Sequence, residues 1–143
     1  MFGTLHPDEI EDLLFTRRVG HLACVVDDRP YIVPISFAYD GRAIYAHTTP
    51  GRKVDAMRSR PAVAFEIEDL GDPRRWRSVI VNGMYEELTD DDERGQAERL
   101  LADVAAGMSP APSGIVFRVR PVRKTGRWLQ FTTESQVVFP SRP

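Results

Sequence analysis

The sequence contains one cysteine, Cys24, and three histidines, His6, His21 and His47. A single thiol cannot form an internal disulfide and cannot complete a zinc site built from several cysteines. The histidines are scattered and form neither an HxH nor an HExxH pattern, so no metal site is predicted. The lack of a disulfide framework is typical of a protein that stays in the cytoplasm.

The chain also lacks an excess of charge and a long apolar run. Its net charge of −2 at pH 7 and its pI of about 5.9 argue against a general nucleic-acid-binding protein, which usually carries a basic excess. No apolar run approaches the length of a membrane span, and the acidic start MFGTLHPDEIEDLL does not resemble a signal peptide. The sequence therefore predicts a cytoplasmic protein with no membrane segment and no nucleic-acid partner.

Several glycine-based motifs are missing as well. The glycines never occur as GxGxxG or GxxxxGK[ST], which argues against a Rossmann dinucleotide site and a P-loop. There is no GxSxG, so nucleophilic hydrolysis has little support, and no residue is assigned a catalytic role.

What the chain does contain is a series of short apolar segments separated by turns. A chain of 143 residues with 42% hydrophobic residues suits a single domain with a sizeable core. The patterns predict strands at 19–26, 31–38, 43–48, 62–68 and 76–87, and a closing strand pair at 115–122 and 124–131. Asp27-Asp28 is the predicted turn between the first two strands. They predict helices at 7–16 and from Thr89, capped by Thr89, to Gly107. We expect a mostly β fold with flanking helices, an antiparallel barrel of six or more strands, and a mobile tail from about residue 132.

The most informative segment runs from residue 31 to 61, where a strand, an Asp40-Gly41 turn, a second strand, a basic loop and a short helix follow one another. Pro34 lies in the middle of the first strand and can donate no hydrogen bond to a neighbour. One side of this strand is therefore expected to lie at a sheet edge or to face a ligand.

The basic loop combines hydroxyls and cations at a predicted helix start: Thr48, Thr49, Gly51, Arg52 and Lys53. Free backbone N–H groups and the helix dipole favour an anion at such a position, so the loop predicts a phosphate site. The alternatives are that the threonines only cap the helix and that the two cations are solvated.

These residues resemble a known family. Three runs, Tyr31-Ile32-Val33-Pro34-Ile35-Ser36, Ile44-Tyr45-Ala46-His47 and Gly51-Arg52-Lys53, are similar to the flavin-binding half of the pyridoxamine 5'-phosphate oxidase-like split β-barrel family. The later run Trp76-Arg77-Ser78-Val79-Ile80-Val81-Asn82-Gly83 is also similar to it. The resemblance covers nearly the whole chain and is closest to the nitroimidazole-resistance-type branch.

The resemblance implies an FMN-binding split barrel and a homodimer with shared cofactor sites. Val33 to Ser36 would border the flavin ring, the strand ending at His47 would lie beneath the ribityl chain, and Lys53 would neutralise the phosphate. The partner subunit would complete the site with the strand around Arg77, although that segment could also be an exposed strand end. The cofactor-binding residues implied in this way are Val33, Pro34, Ile35, Ser36, Tyr45, His47, Thr48, Arg52, Lys53, Trp76, Arg77 and Ser78.

The expected function is an FMN-dependent oxidoreductase acting on a small molecule such as a nitro compound or a quinone, with the flavin carrying the redox chemistry. A related alternative is a reductase that uses a deazaflavin coenzyme. Another class is a non-catalytic sensor or storage protein that holds flavin or haem, in which His47 would be a possible haem ligand.

Overall fold

The computed structural model describes residues 1–104 and 114–131. In chain order the elements are β1 (Phe2–Thr4), α1 (Pro7–Thr16), β2 (Val19–Val26), β3 (Arg29–Ser36), β4 (Ala38–Tyr39), β5 (Ile44–Thr48), α2 (Arg52–Ser59), β6 (Ala62–Asp72), β7 (Arg75–Glu87), α3 (Asp91–Val104) and β8 (Ile115–Gln130). None of the helices within these ranges is long and apolar enough to cross a membrane.

The eight strands form one antiparallel sheet in the order β3-β2-β6-β7-β8-β5-β4, and β1 pairs with β8. The sheet curls until β3 lies beside β5, but these two strands do not pair. The barrel is therefore open along one line, which we call the split. This arrangement confirms the expected antiparallel split barrel.

The main core fills the inside of the barrel. Alternate residues of the central strands point inward, as Leu22, Phe65 and Val81 do, and all three are fully buried. Phe65 packs edge to face against Phe37, with the ring centres 4.8 Å apart. Leu13 of α1 and Met57 of α2 belong to the same buried cluster, so both helices pack against this core.

The third helix packs on the outside of the barrel. A second apolar cluster joins Ala97 and Leu101 of α3 to Ala38 of β4 and Val116 of β8. The outer surface of β4, β5 and β8 is thus covered, which matters for the side chains of β5 discussed below.

Two local expectations were wrong, and one short strand was missed. The closing strand pair is a single 16-residue strand, β8, because an irregularity in its pairing at Asn82/Gly83 of β7 accommodates Pro121 without a turn. Helix α3 begins at Asp91, and its cap is Asp90, whose Oδ2 accepts a 3.0 Å hydrogen bond from the N–H of Glu93. Strand β1 was not predicted. The predicted helix end at Gly107 and the tail from residue 132 lie outside the described residues.

The β2–β3 hairpin confirms the turn expected at Asp27-Asp28. Both residues have positive φ, 52° and 59°, as a two-residue turn between right-twisted strands requires. Aspartate tolerates this conformation better than most residues. The hairpin tip lies beside the first turn of α2, because Asp27 forms an ion pair with Arg52.

Candidate functional site: the split and its basic groove

The split begins at the first residue of β4 and runs back along β3. Ala38 pairs with Tyr45, and continuing this register by two residues sets Ser36 level with His47, where the strands no longer pair. From that point β3 forms one wall and the end of β5 forms the other. The fold therefore brings the predicted residues Val33 to Ser36 close to the backbone of His47 and Thr48.

The wall formed by β3 exposes unpaired backbone groups. Strand β3 pairs only with β2 among the described strands, and the N–H of Phe37 donates to the carbonyl of Arg18 over 2.9 Å at the end of this ladder. Because peptide groups alternate in direction along an antiparallel strand, the N–H groups of Ile32 and Ser36 point away from β2, into the split. Pro34 lies two residues from each of them, so its nitrogen, which carries no hydrogen, also points away from β2. The edge position expected from Pro34 is confirmed.

At its wide end the split opens into a groove of about 600 Å³, which we call the basic groove. Its cations are Arg29, Arg52 and Lys53. The residues lining it come from the β2–β3 hairpin and from the loop that starts α2: Val26, Asp27, Arg29, Pro30, Tyr31, Thr48, Thr49, Pro50, Gly51, Arg52 and Lys53.

The first turn of α2 presents free N–H groups at this groove. The N-cap is Gly51, no side chain caps the helix, and the first helical bond runs from the N–H of Asp55 to the carbonyl of Gly51. The N–H groups of residues 52–54 therefore have no helical acceptor. Thr48 and Thr49 do not cap this helix, so the capping alternative was wrong. A Cβ at Gly51 would meet nothing within 4 Å, which leaves the approach open.

Lys53 and Arg52 differ in their partners. In the described part of the chain no carboxylate lies within 4 Å of the Lys53 ammonium, although the residue is partly buried. Arg52 is exposed and pairs with Asp27. Among the described residues Arg29 and Lys53 are thus the groove cations without a carboxylate partner, and Lys53 is the one in the first turn of α2.

Two predicted residues of β5 direct their side chains away from the groove. Tyr45 donates a 2.9 Å hydrogen bond from its hydroxyl to Asp40, and it packs against the cluster under α3. Burial lowers the pKa of His47, while the nearby Glu98 raises it and Arg94 lowers it further. His47 lies two residues beyond Tyr45 on the same face of β5, so its side chain also faces α3 and only its backbone reaches the split.

The predicted partner-subunit residues lie at the opposite end of the sheet. The register places Ile80 opposite Glu66, and Glu66 opposite His21, so Ser78 is level with the start of β2 while the basic groove is at its end. Arg77 donates a 2.6 Å hydrogen bond to Asp69, and this bond is the main reason that the pKa of Asp69 is lowered. One chain does not bring Trp76, Arg77 and Ser78 to the groove.

Tyr31, Arg29 and Asp27 line the groove, but sequence analysis did not select them. The hairpin turn was recognisable, yet nothing in the sequence indicated that its tip would lie beside the loop at 48–53. Within residues 1–104 and 114–131, no three His, Cys, Asp or Glu side chains are placed to hold a metal ion.

One face of the sheet remains uncovered. On the outward side of the sheet Ala23 of β2 lies opposite both Ile32 of β3 and Ala64 of β6, which forms a small and apolar row. The adjacent row contains the hydrogen-bonded pair of His21 and Glu66, with Ile80 of β7 next to Glu66. Ile32 is 66% exposed and Ile80 44% exposed, so none of the described helices buries this surface. We call it the open face. An apolar sheet face left uncovered in a monomer is a candidate interface.

Comparison with known proteins identifies the family. A family model described as pyridoxamine 5'-phosphate oxidase matches residues 6–128. The chain belongs to this family. The membership expected from the sequence resemblance is therefore confirmed.

Individual members resemble the chain to different degrees. A crystal structure of a FAD-binding protein from Mesorhizobium loti is 34% identical, with a TM-score of 0.79 over 91% of this chain and 99% of that one. The FAD-binding protein from Mycobacterium smegmatis is 28% identical, with a TM-score of 0.76 over 91% of this chain and all of that one (100%). An uncharacterized protein of Rhizobium meliloti (strain 1021) is 42% identical over 81 residues, which span 57% of this chain and 54% of that relative.

Proposed function

We propose that this protein binds a flavin nucleotide, with the flavin ring along the free edge of β3 and the 5'-phosphate at Lys53 and the first turn of α2. The observation that carries the proposal is the uncapped start of α2 beside a partly buried lysine with no carboxylate partner in the described chain. Free amides and a cation without a carboxylate partner are the features that favour a phosphate group. Family membership and the FAD-binding relatives support the same ligand class.

The nucleotide can be FMN or FAD, because both carry the 5'-phosphate that riboflavin lacks. The sequence predicts FMN, whereas the two relatives described above are named for FAD. A titration that includes both nucleotides distinguishes these two forms of the proposal.

The chain contributes binding and orientation in this proposal. The N–H groups of Ile32 and Ser36 are donors directed into the split, where they meet the acceptor atoms of a flavin ring. Lys53 and the amides of residues 52–54 hold the phosphate end. When bound, the flavin itself supplies hydride and electron transfer, so no side chain has to act as a catalytic acid or base.

We further propose that two chains form a dimer through the open face. In a symmetric dimer whose two-fold axis is perpendicular to the strands, the strands of the two facing sheets run in opposite directions. Such a pair brings the start of β7 with Trp76, Arg77 and Ser78 towards the basic groove of the partner. This explains how residues that one chain keeps apart could share a site.

The activity that fits a flavin held in this way is an oxidoreductase acting on a small acceptor of the nitro-compound or quinone class. The groove is open to solvent on the Gly51 side, so a small molecule has access. The deazaflavin, haem and storage alternatives and the cytoplasmic location stay predictions. For haem, the side chain of His47 is poorly placed, since it faces α3.

The test is the absorption spectrum of the purified protein, followed by reduction with dithionite and exposure to a nitroimidazole or a quinone. We expect a flavin spectrum and rapid reoxidation of the reduced flavin. A Soret band would indicate haem and a deazaflavin band would indicate a deazaflavin coenzyme, and either result would contradict the flavin assignment. A bound flavin that stays reduced with every acceptor would exclude turnover and favour storage.

A further inference from the structure

A second groove adjoins the basic groove on the other side of the Arg52–Asp27 ion pair. It has a volume of about 360 Å³, and we call it the acidic groove. Val26, Asp27 and Arg52 line both grooves, so the two spaces meet at this ion pair. The remainder of the acidic groove is formed by the outer side of α2, including Ser59, and by the hairpin tip at Asp28.

The two grooves differ in charge. The basic groove has three cations and one carboxylate. The acidic groove has three carboxylates, from Asp27, Asp28 and Asp55, and two cations, from Arg52 and Arg60. Phosphates suit the first set, whereas carboxylates suit the hydroxyl groups of a ribose, to which acidic side chains commonly hydrogen-bond in nucleotide sites. Together the grooves match a ligand with a phosphate in the middle and an uncharged sugar and base at one end.

We propose that the acidic groove is the subsite for the adenosine half of FAD, and that Arg52 moves from Asp27 to the pyrophosphate when FAD binds. The inference rests on the proposed flavin site. It selects the dinucleotide, in agreement with the two FAD-binding relatives.

The ion pair that separates the grooves is easy to open. Arg52 and Asp27 are 80% and 67% exposed, and such surface pairs contribute only about 0–1 kcal/mol. A pyrophosphate offers the guanidinium a second acceptor with which it can form two parallel hydrogen bonds. Asp27 is then released beside the ribose. The Arg52–Asp27 pair therefore lies at the point where FAD, but not the shorter FMN, would extend from the basic groove into the acidic groove.

The subsite can be blocked without touching the phosphate site. Ser59 is exposed at the last turn of α2 and lines only the acidic groove, so Ser59→Trp should fill that groove. Ser59→Ala is the matched control that leaves it open. Asp28→Asn is a second variant, since asparagine also tolerates the positive φ at this position; it removes the charge and with it the exposed ion pair to Arg60.

The experiment measures the dissociation constants of FAD and FMN for the full chain and the three variants. We expect the unmodified protein to bind FAD at least about tenfold more tightly than FMN, which corresponds to 1.4 kcal/mol. Ser59→Trp should remove that advantage and leave FMN within about twofold, whereas Ser59→Ala should change neither affinity. Asp28→Asn should also weaken FAD selectively.

Retained FMN affinity in Ser59→Trp reports that the variant is folded. Equal affinities for FAD and FMN in the unmodified protein, or losses that are absent or unselective in both Ser59→Trp and Asp28→Asn, would overturn the adenosine subsite while leaving the flavin site intact. Failure of the unmodified protein to bind either nucleotide would instead overturn the proposed function, and the subsite with it.

Discussion

Burial raises the pKa of the Cys24 thiol, and the positive charge of Lys53 acts on the same thiol in the opposite direction. The two residues therefore lie near one another where α2 packs on β2. Lys53 belongs to the first turn of this helix, and no carboxylate of the described chain lies within 4 Å of its ammonium. An anion that enters the groove therefore does not have to displace a carboxylate from Lys53.

Replacing Lys53 should separate the nucleotides from riboflavin. Lys53→Ala removes a charged hydrogen-bond donor to the phosphate, which is commonly worth about 1.5–3 kcal/mol, so FMN and FAD should bind roughly 10- to 150-fold more weakly. Riboflavin affinity should stay unchanged. Arg58→Ala is the control, because it removes the same charge from the same helix at a site that lines neither groove. Equal weakening of all three ligands would remove Lys53 from the phosphate role.

The free edge of β3 can be tested through its backbone. Ser36→Pro deletes an N–H that points into the split and leaves the ladder to β2 intact, as Pro34 already does in the same phase. We expect weaker flavin binding, by about 0.5–1.5 kcal/mol for a neutral hydrogen bond, and a shifted flavin absorption band. Ser36→Ala keeps the N–H and should leave both readouts unchanged. Identical behaviour of the two variants would mean that this amide does not contact the ring.

Most of the fold could be predicted from local patterns. Alternating apolar residues, the Asp27-Asp28 turn and the apolar stripe of α1 each depend on neighbours in sequence, and they predicted β2, β7 and α1 closely. Strand β1 was missed because three residues carry no usable pattern, and it exists through pairing with β8 far along the chain. The single strand β8 was missed because Pro121 resembles a break, and only its partner β7 accommodates the irregularity.

The sequence indicated which residues to consider for the candidate site, but not the directions in which their side chains point. Lys53 and Pro34 could be selected because a cation at a helix start and a proline within a strand are local signals. The directions of Tyr45 and His47 depend on α3, which covers the outside of β5 and is distant in sequence. The part played by Asp27 also depends on a tertiary approach, that of the hairpin tip to α2.

A charge on the open face should separate the subunits. Ile80→Glu places a second carboxylate directly opposite Glu66, and burying these two like charges would cost several kcal/mol in a dimer. We expect sedimentation to report a monomer with weakened flavin binding. Ala102→Glu adds the same charge to an exposed position of α3 and should leave the dimer intact.

Complementation tests whether the cofactor site is shared. Mixed dimers of an Arg77→Ala chain and a Lys53→Ala chain should regain one intact site for each pair. Flavin binding by a monomeric unmodified protein at micromolar concentration would contradict the shared site.

The attachment of α1 to the barrel should depend on pH. Glu11 accepts hydrogen bonds from Lys124 and, over 2.6 Å, from the hydroxyl of Tyr39. Burial alone would raise the pKa of Glu11, but these bonds lower it below its usual 4.5, and Lys124 is raised above 10.5. These bonds therefore stabilise the folded protein at pH values between the pKa of Glu11 and the pKa of Lys124. This stabilisation is lost as the pH falls through the lowered pKa of Glu11, or rises through the raised pKa of Lys124.

Glu11→Gln should accordingly lower the free energy of unfolding at pH 7 by about 1–3 kcal/mol. The difference in unfolding free energy between the variant and the unmodified protein should shrink in acid, where Glu11 is protonated in both the folded and the unfolded state. Urea unfolding across a pH series measures this. Asp12→Asn on the same helix is the control, since Asp12 is exposed and its carboxylate has no ion pair in the described chain. If the loss of unfolding free energy did not change with pH, packing and not the charge of Glu11 would be its cause.

Equilibrium titration of the unmodified protein with FAD, FMN and riboflavin tests the central claim most directly. If Lys53 and the start of α2 hold the 5'-phosphate, both nucleotides should bind at least about tenfold more tightly than riboflavin, because a charge-assisted contact of that kind is worth 1.4 kcal/mol or more. Equal affinity for riboflavin and the two nucleotides, or no binding of any of them, would contradict a flavin phosphate site in the basic groove.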